Sequence, residues 1–145
     1  MRAMIGHELL LVPTVSVLPW DENGRLLLAR SALSGEWMTI GGMVEPDEAP
    51  QEAAIREARE EAGVELALCG IRAALGGPHC RIRYPNGDEV SVVNIVFDAR
   101  IVGGSPGADN VETSELAWFS AAEIPKLPMN DFTTFKFKSL GLFDA

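Results

Sequence analysis

The sequence predicts a mixed α/β (α+β) sandwich. Three observations lead there. Alternating apolar and polar residues mark a strand over residues 14–18, and after a turn residues 25–29 return as the next. The stretch Pro50–Ala62 holds no interior helix breaker and carries the strong helix formers Ala53, Ala54, Ala58 and Ala62. Two long apolar runs then follow, residues 64–75 and 90–102, divided by the turns Gly76-Gly77-Pro78 and Pro85-Asn86-Gly87-Asp88.

The elements follow in order. Residues 7–11 are short and apolar, as an edge strand would be. Residues 14–18 alternate and form a half-buried strand. Asp21-Glu22-Asn23-Gly24 has the composition of a hairpin turn, so residues 25–29 return as the next strand, with Arg30 at its end. Residues 31–35 form a loop. Trp37, read as core, then opens a short strand running into Gly41 and Gly42.

Pro50 suits the first position of the main helix, and Gly63 the left-handed residue that ends it. After the apolar run 64–75, residues 79–84 form a strand in which Arg81 and Arg83 alternate with Ile82. It makes a hairpin with 90–102. His79 is read as structural. Residues 103–110 are loop, and 111–119 lead into a strand ending Trp118-Phe119. Ser120 caps a short helix bounded by Pro125 and Pro128, and residues 131–140 form a terminal helix. No internal repeat or linker interrupts the chain.

Its 145 residues suit one domain, 1–145, with its own core. At 47% hydrophobic and 23% charged it is globular rather than disordered. The formal net charge of -9 argues against a nucleic-acid backbone or an anionic membrane as partner. Cys69 and Cys80 are too few and too far apart for a zinc site and are expected as buried free thiols. No run approaches a membrane span and the start lacks a signal peptide's layout, so the expected compartment is cytoplasmic.

Chemistry concentrates on the main helix. Glu57, Glu60 and Glu61 stand at i, i+3 and i+4 and project from one face. Like charges at that spacing repel, and the C-terminal end of a helix disfavours anions. Arg56 and Arg59 relieve part of the strain. A hard divalent cation would relieve the rest, and Mg²⁺ commonly takes a few carboxylates together with substrate phosphates. The residues therefore point to an Mg²⁺ or Mn²⁺ site that also engages phosphate. The plainer alternative is a solvated, salt-bridged helix, for which Glu52 and Arg56 supply an i, i+4 pair.

Gly42, Glu48, Arg56, Glu57, Glu60, Glu61, Gly63 and Val64 together resemble the signature box of the Nudix (MutT-like) hydrolases. The pattern is a glycine, five residues, a glutamate, seven residues, then Arg-Glu-apolar-any-Glu-Glu-any-Gly-apolar. Three positions depart from it: Ile40 where proline often precedes the glycines, Ala49 where Ser or Thr often caps the helix, and the small Ala58 in the apolar slot. None removes an acid. The likeness covers roughly residues 14–128.

The resemblance implies an α/β/α sandwich around a curved central mixed sheet. It also implies metal-dependent hydrolysis of a nucleoside diphosphate linked to another group. Glu57, Glu60 and Glu61 would hold the cation, with the Gly41 carbonyl as a further ligand; Arg56 would orient Glu57, and Glu48 would stand behind them. An acid ahead of the Trp-Phe strand would supply another ligand or a general base. Glu112 and Glu115 both qualify, and Glu112 is preferred because it lies deeper in the loop. Arg30, Arg81 and Arg83 are candidate substrate contacts; Arg30 reads equally well as a surface arginine, and Arg81 and Arg83 read more readily as solvated ones.

ADP-ribose, nucleotide sugars, oxidised nucleoside triphosphates and dinucleoside polyphosphates all remain open as substrates. Pro78 stands near where ADP-ribose-hydrolysing relatives carry a proline. A homodimer is left open. Two other classes stay in view: a nucleotide-binding sensor without catalysis, and a scaffold with a relict box.

Overall fold

A computed structural model describes residues 9–84 and 86–143. Its longest strand organises the rest. Glu89–Gly104 (β7) is rich in β-branched and aromatic residues, which suit a pleated surface packed on both faces. It runs parallel to Leu10–Pro19 (β1) along that strand's whole length. On its other edge it pairs antiparallel with Val64–Leu75 (β5) and with Arg81–Arg83 (β6). Ile40–Met43 (β4) extends the sheet beyond β1, giving the order β4-β1-β7-β5 with β6 beside β7. Three register shifts along β5 bend it against β7.

A second sheet has the order β3-β2-β8, from Trp37–Met38 (β3), Leu26–Ser31 (β2) and Thr113–Phe119 (β8). Helix α1 (Pro50–Ala62) packs its buried alanines against Val15, Val17, Ile40, Val64 and Phe97. Methyl-sized side chains let the helix backbone approach the strands closely. Helix α2 (Asp131–Ser139) covers a separate core, where Phe137 meets Leu18, Leu26, Leu28 and Val96. The sheets thus lie between two helical layers.

The helix α1 agrees with its sequence reading from end to end. Gly63 closes it at φ 67°, with its N–H directed at the Ala58 and Arg59 carbonyls. Ala49 has no side-chain acceptor to offer. Only the reverse half of a capping box forms, the Ala49 N–H donating to Glu52 Oε1 at 2.9 Å. At the far end, Asn130 Oδ1 accepts from the Thr133 N–H at 2.8 Å and starts α2.

Other expectations are corrected. His7 and Glu8, expected in an edge strand, lie outside the described residues, and Leu10 and Leu11 begin β1, where it pairs with the distant, parallel β7; β4 joins it along Thr14–Val17. The turn at residues 21–24 forms, with Asp21 Oδ1 accepting from the Asn23 and Arg25 amides. Yet it makes no hairpin: only Trp20 and Leu26 bridge, and the two strands enter different sheets. Residues 37–43 are likewise two strands in two sheets.

Pro85 lies outside the described residues; the rest of its turn is held by the Asp88 N–H donating to Asn86 Oδ1 at 3.0 Å. The segment after Ser120 is a 3₁₀ turn, Ile124–Lys126, with Pro125 inside it rather than bounding it. Cys80 is buried, whereas Cys69 is exposed, and both are free thiols. No helix among the described residues is long and apolar enough to cross a membrane.

Candidate active site

Helix α1 buries Ala53, Ala54, Ala58 and Ala62. Glu57 and Glu61 are carried by the same periodicity to the edge of that buried face, beside β4. Glu61 is only 4% exposed, and the Gly41 N–H donates to its Oε2 at 3.0 Å. Glu57 is seated against Gly42, where a Cβ would lie 2.4 Å from Glu57 Oε1. At Gly41 a Cβ would lie 2.1 Å from the Val15 carbonyl oxygen. The two glycines are thus required by close approach on two sides: one lets β4 meet β1, the other lets β4 meet a carboxylate.

The Glu57 and Glu61 carboxyls lie close enough to bear on each other's protonation. Burial drives the Glu61 acid up to about 9, the charges of Glu57 and Glu112 push the same way, and only the Gly41 N–H opposes them. Burial also raises Glu57, against the pull of Arg56. Two buried carboxylates in contact do not both ionise unless a cation joins them.

Arg56 uses all five of its donors. Nε and Nη2 grip Glu48 at 2.7 and 2.9 Å, and Nη2 also reaches the Met43 carbonyl at 3.0 Å. Nη1 donates to Glu57 at 3.0 Å and to Glu60 at 3.1 Å. The fork therefore staples the loop before α1 to the helix and fixes the Glu57 carboxylate. Arg56 holds Glu48 down to about 2, well below the usual carboxylate range, with the Glu45 amide adding to the effect.

The other candidate residues divide. Glu60 lies outside the buried pair, its side chain 59% exposed and bound to Arg56. Glu112 is exposed at the loop before β8, yet its charge bears on Glu61. Glu115 is drawn off by Arg30 at 3.4 Å. Arg30 also donates to the Gly35 carbonyl at 2.8 Å, so it pins the loop between β2 and β3. Arg81 and Arg83 are exposed on β6, and Arg83 pairs with Glu89 at 3.2 Å. Only Ile82, between them, lines the cavity beside Gly41 and Gly42, because side chains alternate across a strand.

Two features escaped the sequence reading. Asp109 Oδ1 accepts from the amides of Val111, Glu112 and Thr113 at 2.9, 3.1 and 2.9 Å, and so shapes the loop that carries Glu112. An aspartate two to four residues ahead of three amides was the available signal. Lys136 is the second. It is 3% exposed in α2, and burial pushes its ammonium down to about 7. A lysine four residues after Phe132, on a helix face that meets the sheet, was the only hint.

The oxygen-rich pair suits a hard divalent cation. Among the described residues no group of three His, Cys, Asp or Glu side chains is placed to hold a metal ion, so Glu57, Glu60 and Glu61 do not converge as the expected trio. One or two protein carboxylates completed by substrate phosphates is the arrangement Mg²⁺ commonly adopts, so the donor set fits.

Comparison with known proteins bears on the family and the fold. The family model described as NUDIX domain matches residues 10–139. A protein of Enterobacter sp. (strain 638) named "Nucleoside triphosphatase NudI" is 28% identical over 130 residues, 84% of this chain and 92% of that protein. One of the same name from Klebsiella pneumoniae (strain 342) is 30% identical over 135 residues, 87% of this chain and 95% of that protein. The crystal structure of a MutT protein from Methanosarcina mazei Go1 superposes with a TM-score of 0.76 at 24% identity, covering 94% of this chain and 97% of its own.

Proposed function

The chain belongs to the Nudix family of hydrolases, and from that premise we propose that it hydrolyses a nucleoside diphosphate linked to another group, with Mg²⁺ or Mn²⁺. The observation that carries this is the buried Glu57–Glu61 pair, held between the Gly41 N–H and the Arg56 guanidinium. The names of the relatives make nucleoside triphosphates the first substrates to test.

Glu57, Glu61 and the Gly41 carbonyl would hold the cation, with Glu60 joining them on leaving Arg56. When bound, the cation supplies charge neutralisation for the diphosphate and lowers the pKa of a coordinated water. The protein's own part is to position these groups. Gly41 and Gly42 bring β4 against the two carboxylates, and Arg56 fixes the angle of Glu57. Glu112, near Glu61 and open to solvent, would accept the proton of the attacking water as general base. Arg30 would act through structure, by holding the loop after β2.

The reading requires release of pyrophosphate or phosphate from a nucleoside triphosphate panel that depends on added Mg²⁺ and is lost in Glu57→Gln. Turnover that is equal with and without a chelator would refute the metal assignment.

A further inference from the structure

A cavity of about 250 Å³ adjoins Gly41 and Gly42, the two residues that seat Glu61 and Glu57. It is small against the roughly 300–1,000 Å³ of pockets that take a whole drug-sized ligand, so it suits one ring system rather than an entire nucleotide. Its polar wall is a buried network. Lys136 Nζ donates to Ser16 Oγ and Thr39 Oγ1, both at 2.8 Å, and stands 4.5 Å over the Phe132 ring.

From there the bonds run in one direction. Thr39 donates to Ser16 at 2.9 Å, Ser16 to Asn94 Oδ1 at 3.2 Å, Asn94 Nδ2 to Thr14 at 2.9 Å, and Thr14 to the Val93 carbonyl at 3.1 Å. The Thr39, Ser16 and Thr14 hydroxyls thus each donate within the network. An ammonium has three donors, and two of them serve hydroxyls. Among the described residues no carboxylate pairs with Lys136. A buried cation without an anionic partner favours a ligand that brings acceptor oxygens.

We propose that this cavity takes the base of the nucleotide, and that Lys136 selects bases with a carbonyl at purine C6 or pyrimidine C4, guanine and uracil or thymine, over adenine. The inference rests on the diphosphate lying at the Glu57–Glu61 pair, next to the same glycines. Guanine offers O6 and N7 to one lysine, and thymine offers O4. Adenine places an amino group where guanine has O6, so donor would face donor. The low pKa of Lys136 is consistent with this, since an acceptor oxygen would restore the charge that burial disfavours.

Calorimetry on the full chain with Mg²⁺ tests it, using the non-hydrolysable α,β-methylene analogues of GDP, UDP and ADP. The guanine and uracil analogues should bind at least about 10-fold more tightly than the adenine one. Lys136→Met should weaken both by about 10- to 100-fold, the worth of a hydrogen bond to a charged group, and leave adenine within about 3-fold. Equal affinity for the three bases, or an equal loss for all three in Lys136→Met, overturns the proposal. If Lys136→Met does not fold, the wild-type ranking still decides, and Lys136→Gln, which keeps a donor, should retain part of the preference. Turnover is measured separately. A base ranking without hydrolysis would sink the catalytic assignment and leave the pocket standing, whereas Mg²⁺-dependent hydrolysis without a ranking would do the reverse.

Discussion

The Glu57 carboxylate occupies the space that a side chain on Gly42 would need, with Oε1 2.4 Å from where the Cβ would stand. Gly42 is therefore a site residue through its emptiness, while its neighbour Gly41 is spared a collision with the Val15 backbone. The two alanine variants should fail differently. Gly42→Ala should fold, because no unusual backbone angle is needed there, and should displace Glu57 and lose about 10²-fold in kcat. Gly41→Ala should lower the melting temperature first, since its obstacle is a strand that cannot swing aside. Calorimetric melting and kcat measured on both variants check the distinction.

Glu61 makes the metal-free protein sensitive to pH. Its acid lies far above the usual carboxylate value, at about 9, so between about 4.5 and 9 the folded state binds a proton that the unfolded state has released. Stability should be full below about pH 4.5 and fall as pH rises through that window, with Glu57 adding in the same direction. Lys136, lowered to about 7, works oppositely above neutrality, so the decline should be cleanest between about pH 4.5 and 7. Glu61→Gln should flatten it, raise the apo melting temperature and abolish turnover. Melting curves from pH 5 to 7 with chelator present would contradict this if wild type and variant ran parallel.

Arg56 holds Glu48, Glu57, Glu60 and the Met43 carbonyl with one planar fork. Arg56→Lys keeps the charge but has a single ammonium for partners spread around a plane. It should therefore rescue little of what Arg56→Ala loses, with kcat down by about 10²-fold in both. Near-wild-type kcat in the lysine variant would mean that charge alone matters.

Glu112 and Glu115 separate by their partners. Glu115 is engaged by Arg30 at 3.4 Å, whereas Glu112 exerts its charge on Glu61. Glu112→Gln should lose about 10²-fold in kcat, as expected for a general base, and Glu115→Gln should stay near wild type. The opposite order in steady-state assays would transfer the role.

Mg²⁺ given together with a phosphate-bearing ligand should raise the melting temperature, as any ligand that binds the folded state alone does. The gain should shrink in Glu57→Gln and Glu61→Gln. An unchanged melting curve at millimolar Mg²⁺ and ligand would exclude the site.

The sequence by itself determined the helix α1, its two ends and the acids it carries. Those depend on local rules: an unbroken run of helix formers, a proline at one end, a glycine at the other, and a spacing that repeats every turn. It also determined most strands, since period-two alternation is local. Partner choice is not local. That β1 runs parallel to β7, some eighty residues away, or that β1 and β2 part at a tight turn, follows from which faces the two helices bury.

The site shows the same division. Three acids on one helix face were legible, but only the packing of β4 drew Glu57 and Glu61 inward and left Glu60 to Arg56. Lys136 was invisible as a functional candidate. Its meaning arises from hydroxyls on β1 and just before β4, more than ninety residues distant, which accept its hydrogen bonds in a buried network. A chain's local chemistry can name which groups are available. Which of them lose their water, and so acquire unusual charge states, is decided only when distant segments close over them.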